Sequence, residues 1–261
     1  MSANDAGVQV CGGNVDGVGF TSECFLLPYN SKTWLRAPDV PSMKEKRYIP
    51  GSVTLANGDW WISGGWNGPV RYASTEIQGS DGTWTPSVDL PTELQRHCMV
   101  KIDENRILLA GGVDQMNKPQ HFAYIYDTST NTWEAVESMT EPRYALSCAL
   151  IEENKVMVVG GIGRSGERLS SSEIFNVAEN SWEAGPLLPV WTFNAQMVTV
   201  DGVSYHIGGR TSVEQRTTDI YRLDKINSEW QFKKVGNLNK GKSGFDVVEI
   251  KLSTSNCNGW N

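Results

Sequence analysis

The chain has 261 residues, of which 39% are hydrophobic and 20% are charged, a composition typical of a folded domain with a sizeable core. Its net charge of -7 argues against nucleic acid as a partner. No apolar run approaches the roughly 18 residues needed to span a bilayer, and the first residues lack the pattern of a secretory signal. We therefore expect a cytoplasmic protein without a membrane or nucleic-acid partner; a secreted protein whose leader has been removed is the alternative.

The first predicted element is a strand at residues 8–11, which runs into the doublet Gly12-Gly13. Too few residues precede it for an earlier hairpin partner. It is therefore predicted to be the second strand of a sheet whose first strand comes from elsewhere in the chain.

Glycine doublets recur about every 48 residues, and a tryptophan follows each of them by about 20 residues. A constant offset over five occurrences indicates an internal repeat. The repeated residues are Gly12, Gly13, Trp34, Gly64, Gly65, Trp84, Gly111, Gly112, Trp133, Gly160, Gly161, Trp182, Gly208, Gly209 and Trp230.

The repeat at residues 143–190 shows what one unit contains. Two apolar strands flank the turn Glu152-Glu153-Asn154, and a third strand, "SEIFNV", precedes a fourth around Trp182. Other repeats have Asn57-Gly58 or Asp201-Gly202 at the first turn, which are strong hairpin signals. Each unit is thus predicted to form four short antiparallel strands, and such sheets bury both faces when they stack radially.

These features resemble the kelch-repeat family of β-propellers. The resemblance rests on the doublets, the tryptophans, "IYD" at residues 125–127, and Arg47, Arg96 and Arg143, which open first strands. The fourth unit has Trp191 near the position where this arginine is expected. The resemblance implies an all-β propeller of five four-stranded blades without a cofactor.

Closure of the ring is predicted from the last strand-like segment, residues 244–252. It matches a first strand and would pair with residues 8–11, so that residues 7–36 and 244–252 share one blade. This gives a single domain over residues 1–252, a polar tail at 253–261 and a monomer. The alternative is an incomplete chain from a propeller of six or seven blades.

The resemblance also implies that partners bind the face formed by second-to-third-strand loops and linkers between blades. These segments carry eight of the eleven arginines, whereas the opposite face carries Asp103-Glu104, Glu152-Glu153 and Asp201. Because guanidinium groups suit carboxylates, this face is predicted to bind an acidic peptide or protein segment. The predicted partner-binding residues are Arg47, Tyr48, Trp66, Arg71, Arg96, Arg143, Tyr144, Arg164, Arg168, Trp191, Arg210 and Arg216.

Phe193 is a further aromatic candidate on this rim, for which core packing is the alternative. For the arginines, the alternative is that three belong to the family framework and that the rest are solvated. The favoured function is a non-enzymatic interaction module. Such a module would serve as the recognition part of a larger assembly, for example a ubiquitin ligase.

An enzyme is the alternative function. Asp89, Glu93 and His97 are spaced four residues apart, and these residue types suit ferrous iron. The order differs from the Glu-x3-Asp-x3-His motif of plant glucosinolate specifier proteins, which this segment resembles. A solvated linker that ends at Arg96 is the favoured interpretation.

The five cysteines show no metal-binding spacing. Cys11 and Cys24 flank one loop and would form a disulfide in an oxidising compartment. Buried free thiols are the favoured interpretation.

Overall fold

The computed structural model describes residues 2–4, 7–29 and 31–244, and within them it contains 21 strands and no helix. No described helix is therefore available to cross a membrane. The all-β prediction is confirmed.

The first repeat forms a reduced sheet. Its strands are β1 (Ser2–Asn4), β2 (Gly7–Cys11), β3 (Asn14–Val15), β4 (Gly19–Phe20) and β5 (Cys24–Pro28). β1, β2 and β5 form an antiparallel sheet, and β3 and β4 form a small separate hairpin. The prediction that β2 has no earlier hairpin partner is wrong, because Ser2–Asn4 pairs with the first half of β2.

The other four repeats each form the predicted four-stranded antiparallel sheet. The strands of the second are β6 (Gly51–Thr54), β7 (Trp60–Ser63), β8 (Thr75–Gln78) and β9 (Trp84–Pro86), and those of the third are β10 (Cys98–Lys101), β11 (Arg106–Ala110), β12 (Ala123–Asp127) and β13 (Thr132–Val136). The fourth contains β14 (Ser147–Glu152), β15 (Lys155–Val159), β16 (Ser172–Asn176) and β17 (Ser181–Ala184), and the fifth contains β18 (Gln196–Val200), β19 (Val203–Ile207), β20 (Asp219–Ile226) and β21 (Glu229–Asn237). The first strands β6, β10, β14 and β18 contact one another in succession.

The glycine doublets join each sheet to the linker that follows it. The backbone N–H of the second glycine donates to a linker carbonyl at 2.8–2.9 Å in all five repeats. The pairs are Gly13 with Arg47, Gly65 with Leu94, Gly112 with Arg143, Gly161 with Thr192 and Gly209 with Lys242. A side chain would not fit here, since a Cβ at Gly161 would lie 2.7 Å from the carbonyl oxygen of Tyr144.

Three of the repeat tryptophans connect their sheets to the preceding linkers. The indole N–H groups of Trp84, Trp133 and Trp182 donate to the carbonyls of Pro41, Asp89 and Glu137, which lie in the linkers that precede their sheets. Trp133 also packs against Trp61 of the neighbouring sheet, with ring centroids 5.9 Å apart. The first repeat differs: Trp34 is 45% exposed, and an isolated bridge between Leu26 and Leu35 replaces the fourth strand.

Two disulfides are present. Cys11 and Cys24 are paired residues of β2 and β5, and Cys98 and Cys148 join β10 to β14 in the neighbouring sheet. For these four residues the favoured interpretation of free thiols is wrong. Cys257 lies outside the described residues, as does the predicted first strand after Gly244.

Candidate functional site

Arg47 and Arg143 lie in the interior rather than on the predicted partner-binding face. Both are completely buried. Arg47 donates to Glu76 at 3.1 Å and to the carbonyls of Gly64 and Ser74 at 2.7 Å. These contacts pin a linker to the second and third strands of the next sheet, so Arg47 is unavailable to a partner.

Arg143 repeats this arrangement at the fourth sheet, as Arg47 does at the second. Its Nη2 donates to Glu173 at 2.9 Å, and its Nη1 donates to the carbonyls of Gly160 and Ser171 at 3.0 and 3.1 Å. The Glu173 carboxylate also accepts the backbone N–H groups of Thr140 and Glu141. A buried carboxylate with this many donors is a structural group, and the assignment of both arginines to the partner-binding face is corrected accordingly.

Arg96 is not their counterpart in the third repeat. The residue that opens this repeat and whose carbonyl accepts the Gly65 N–H is Leu94, two positions before Arg96. Leu94 is fully buried in an apolar cluster with Leu109 and Tyr124, and Tyr124 occupies the position of Glu76 and Glu173. In the fifth repeat, which begins with β18, the corresponding linker residue is Thr192 rather than Trp191.

Arg96 instead belongs to a ring of residues with positive φ around the mouth of a central cavity. Its φ is 57°, and a chain of backbone hydrogen bonds of 2.9–3.2 Å links the ring members in order. The members are Ile49, Arg96, Ala145, Asn194 and Gly244. Non-glycine residues with positive φ are uncommon, and they concentrate at functional sites.

The Arg96 guanidinium has no hydrogen-bonding or ionic partner within the described part of the chain. It lies 6.0 Å from the Tyr144 ring. Burial lowers its pKa, the nearby charge of Arg210 lowers it further, and Tyr48 and Tyr144 act in the opposite direction. This side chain is therefore a cation held among aromatic rings beside another cation.

The cavity behind this ring has a volume of about 370 Å³. Arg96, His97, Tyr48, Asn194 and Trp60 are among the residues that line it. His97 Nδ1 and Trp60 Nε1 are buried and have no partner among the described residues. Burial lowers the pKa of His97 to about 3, so its ring is neutral.

Three predicted arginines occupy equivalent positions in the loops between second and third strands. Arg71, Arg168 and Arg216 each form the same isolated bridge to the residue after their glycine doublet. They nevertheless have different roles. Arg71 is mostly buried and donates to Asn117 at 2.6 Å and Gln115 at 3.4 Å, so that it ties its loop to the next one. Its pKa is lowered chiefly by burial.

Arg168, the second of these arginines, is exposed and lies beside two aromatic rings. The Arg168 guanidinium lies 5.7 Å from the Trp191 ring and 5.8 Å from the Phe193 ring. Trp191 is half-buried, whereas Phe193 is only 6% exposed, in agreement with the core-packing alternative for it. Arg164 is exposed in the same loop.

Arg216, the third of these arginines, lies in a cluster with Arg210 and Ser243, of which the sequence predicted only the two arginines. The Nε atoms of Arg210 and Arg216 both donate to the hydroxyl of Ser243 at 3.1 Å. No described carboxylate contacts either guanidinium. Ser243 was missed because a lone serine near the end of a linker has no pattern of its own.

The predicted aromatic anchors Tyr48 and Trp66 are half-buried and pack together with Phe20. Phe20 comes from the β3–β4 hairpin and was not predicted. Its position opposite Asn14 is equivalent to that of the loop arginines, so repeat alignment within this loop was the available signal.

The structure does not bring the candidate iron ligands together. Asp89 and Glu93 are exposed, whereas His97 is buried and its Nε2 lies 2.9 Å from Ser63 Oγ. Across the described residues, no group of three or more His, Cys, Asp or Glu side chains is placed to hold a metal ion. The linker is not helical and bends at residues 91, 92 and 96, so the regular four-residue spacing in the sequence does not bring these side chains together.

Comparison with known proteins agrees with this architecture. Residues 78–251 match the family model of the KLHDC2/KLHL20/DRC7 Kelch-repeats domain. The comparison with curated proteins gave no match. The solved structure of YjhT is similar in fold, with a TM-score of 0.70 and 14% identity over 85% of this chain and 80% of that one. The chain belongs to the kelch-repeat family.

Proposed function

We propose that this kelch domain is a non-enzymatic module that binds an acidic segment of a protein on the face around Arg96, Arg210 and Arg216. The observation that carries the proposal is the Arg96 guanidinium, which lines the central cavity, lies beside the Tyr144 ring and contacts no acceptor among the described residues. A carboxylate is the group that such a guanidinium binds best, because two parallel N–H groups match its two oxygens.

Electrostatics favour an anion at this position. Arg210 lowers the pKa of Arg96, which means that the two cations repel each other in the unoccupied face. A carboxylate bound between them removes this repulsion, and the Ser243 hydroxyl offers a further donor. The acidic ligand is thus stabilised by charges that have no carboxylate partner among the described residues.

Aromatic side chains supply the second part of the interface. Tyr48, Trp66 and Tyr144 are half-buried around the arginines and retain accessible ring surface. Tyrosine and tryptophan are common anchors in protein interfaces because they combine a large apolar area with a polar group. They would hold the apolar residues next to the acidic ones in the bound segment.

The five-bladed ring is part of the same proposal. Gly244 continues the ring that Ile49, Arg96, Ala145 and Asn194 form, and it lines the same cavity as Cys11 of β2. Residues 244–252 would then complete the first blade. A monomer that serves as the recognition part of a larger assembly, such as a ubiquitin ligase, fits this arrangement. We propose cytoplasmic placement from the sequence, whereas the two disulfides favour the alternative, a secreted protein, because disulfides persist in oxidising compartments.

Fluorescence anisotropy with a labelled oligoglutamate peptide tests the binding function. Arg96→Gln should weaken binding about tenfold, which corresponds to about 1.4 kcal/mol. Arg106→Gln is the matched control, because Arg106 is an exposed arginine on the opposite face and pairs with Asp103. Equal affinity of the wild type and the Arg96 variant, or equal losses in both variants, would contradict the proposal.

A further inference from the structure

Ser243 is held in an unusual electrostatic position. Its hydroxyl oxygen is the common acceptor of two guanidinium Nε–H groups, from Arg210 and Arg216, each at 3.1 Å. Arg210 makes one further bond, from Nη1 to the carbonyl of Val213 at 2.7 Å. Two cations therefore converge on one neutral oxygen, and no carboxylate of the described residues contacts them.

The residues before Ser243 are basic and accessible. Lys240 and Lys242 stand three positions and one position before it, and both are exposed. Ser243 itself is half-buried in the linker that follows β21. Serine kinases select substrates by charge patterns of this kind.

We infer that Ser243 is a phosphorylation site and that its modification closes the carboxylate-binding face. In the reaction, Ser243 Oγ attacks the γ-phosphorus of a nucleoside triphosphate. The new Oγ–P bond forms as the bond to the β–γ bridging oxygen breaks, the nucleoside diphosphate leaves, and the hydroxyl proton passes to the base of the kinase. The step requires a kinase and a compartment that contains nucleoside triphosphate.

The phosphoserine would find its partners already in place. It carries a charge of about −1.5 to −2 near neutral pH and three acceptor oxygens. Arg210 and Arg216 already point at the oxygen to which the phosphoryl group attaches. Charge-assisted hydrogen bonds would then fasten the linker to the loop at residues 210–217.

The regulatory consequence rests on the proposed function. A phosphate between Arg210 and Arg216 occupies the same donors that an acidic ligand would use, and its field also reaches Arg96, to which Arg210 is electrostatically coupled. Phosphorylation would therefore weaken the binding of acidic segments.

The first experiment treats the purified protein with a basophilic serine kinase and MgATP, and locates the added phosphoryl group by mass spectrometry. We expect phosphate on Ser243 in the wild type and none at this position in Ser243→Ala. The phosphorylated wild type should melt at a higher temperature than the unmodified protein. An Arg210→Gln/Arg216→Gln variant keeps the lysines and should accept phosphate without this gain.

The absence of phosphate at Ser243, or an equal thermal shift in the wild type and the double variant, would overturn the inference. The second experiment measures oligoglutamate binding before and after phosphorylation, and we expect a loss of about tenfold. Unchanged binding by a phosphorylated protein would overturn the regulatory part. If the unmodified protein does not bind the peptide, the proposed function fails, whereas the mass and melting measurements still decide the modification site.

Discussion

Two groups of arginines in the linkers and loops of this protein have completely different surroundings. Arg47 and Arg143 are buried in the joints between sheets, where each is paired with a glutamate. Arg96, Arg210 and Arg216 lie on the loop face without a carboxylate partner among the described residues. Among these five arginines, the two with a buried carboxylate partner are structural, and the three that we propose for binding have no carboxylate partner among the described residues.

The third repeat shows that the structural role of an arginine can be filled by apolar residues. Leu94 and Tyr124 occupy the positions that Arg47 and Glu76 fill in the second repeat. Buried ion pairs and well-packed apolar residues are often of similar stability, although removal of one partner of an ion pair is strongly destabilising. The joints between sheets thus require matched partners, not charge.

The largest effect on stability is expected from Arg143→Ala. It leaves the Glu173 carboxylate buried without its cation and should lower the free energy of unfolding by about 3–5 kcal/mol. Urea denaturation measures this loss. Arg164→Ala, an exposed arginine of the same repeat, is the control and should change stability by no more than about 0.5 kcal/mol.

The apolar solution can also be transplanted. The double variant Arg143→Leu/Glu173→Tyr reproduces the pair of the third repeat and should recover stability to within about 1.5 kcal/mol of the wild type. A double variant as unstable as Arg143→Ala would show that the two joints are not equivalent.

The second largest effect is expected from the disulfide that joins β10 to β14. The double variant Cys98→Ser/Cys148→Ser removes a link between neighbouring sheets and should destabilise the protein by about 2–4 kcal/mol. Oligoglutamate affinity per folded molecule should not change. Thiol counting by mass spectrometry, with and without a reductant, verifies the bond, and two free thiols at Cys98 and Cys148 without reductant would refute it.

Acid should lower the free energy of unfolding through two buried histidines. Burial lowers the pKa of His97 to about 3 and that of His206 to about 4. Both values lie below the usual 6.5, so the unfolded chain binds protons that the folded protein does not. Stability is therefore full above pH 6.5 and falls as the pH drops from 6.5 toward the folded-state values.

The loss by pH 5 should be roughly 2 kcal/mol for each histidine. Urea denaturation between pH 8 and pH 5 measures it. His97→Gln should flatten the pH dependence. An unaltered slope in His97→Gln would remove His97 from this account.

The smallest effect on stability is expected on the loop face. Arg96→Gln removes a side chain that makes no described hydrogen bond, so its free energy of unfolding should remain within about 0.5 kcal/mol of the wild type. A loss of several kcal/mol would place Arg96 with the structural arginines and would remove the main support for the binding face.

Much of the fold could be predicted because the glycines and tryptophans have a local physical cause. The second glycine of each doublet donates its N–H to a close linker carbonyl, which leaves no room for a side chain. A tryptophan that reaches the preceding linker must stand at a fixed distance from that linker in the sequence. The arginines were harder to assign. Arg96 was aligned with Arg47 and Arg143 because all three open first strands, but Leu94 occupies the equivalent position and the backbone turn at Arg96 has no local signature.

Contacts between repeats account for the remaining errors. Cys98 and Cys148 stand one repeat apart on neighbouring first strands, a relation that appears only after the repeats are aligned on their doublets. Connectivity among cysteines does not follow from their count. The cluster of Arg210, Arg216 and Ser243 likewise depends on a linker meeting a loop, and residue types alone do not specify that meeting.

The most direct test of the acidic-ligand site is a double-mutant cycle between Arg96→Gln and a peptide in which glutamine replaces glutamate. Anisotropy titrations of both proteins with both peptides give the coupling free energy. We predict that Arg96→Gln lowers the affinity for the glutamate peptide about tenfold. The affinity for the glutamine peptide should be the same for the wild type and the variant. Identical losses with the two peptides would mean that Arg96 does not recognise a carboxylate.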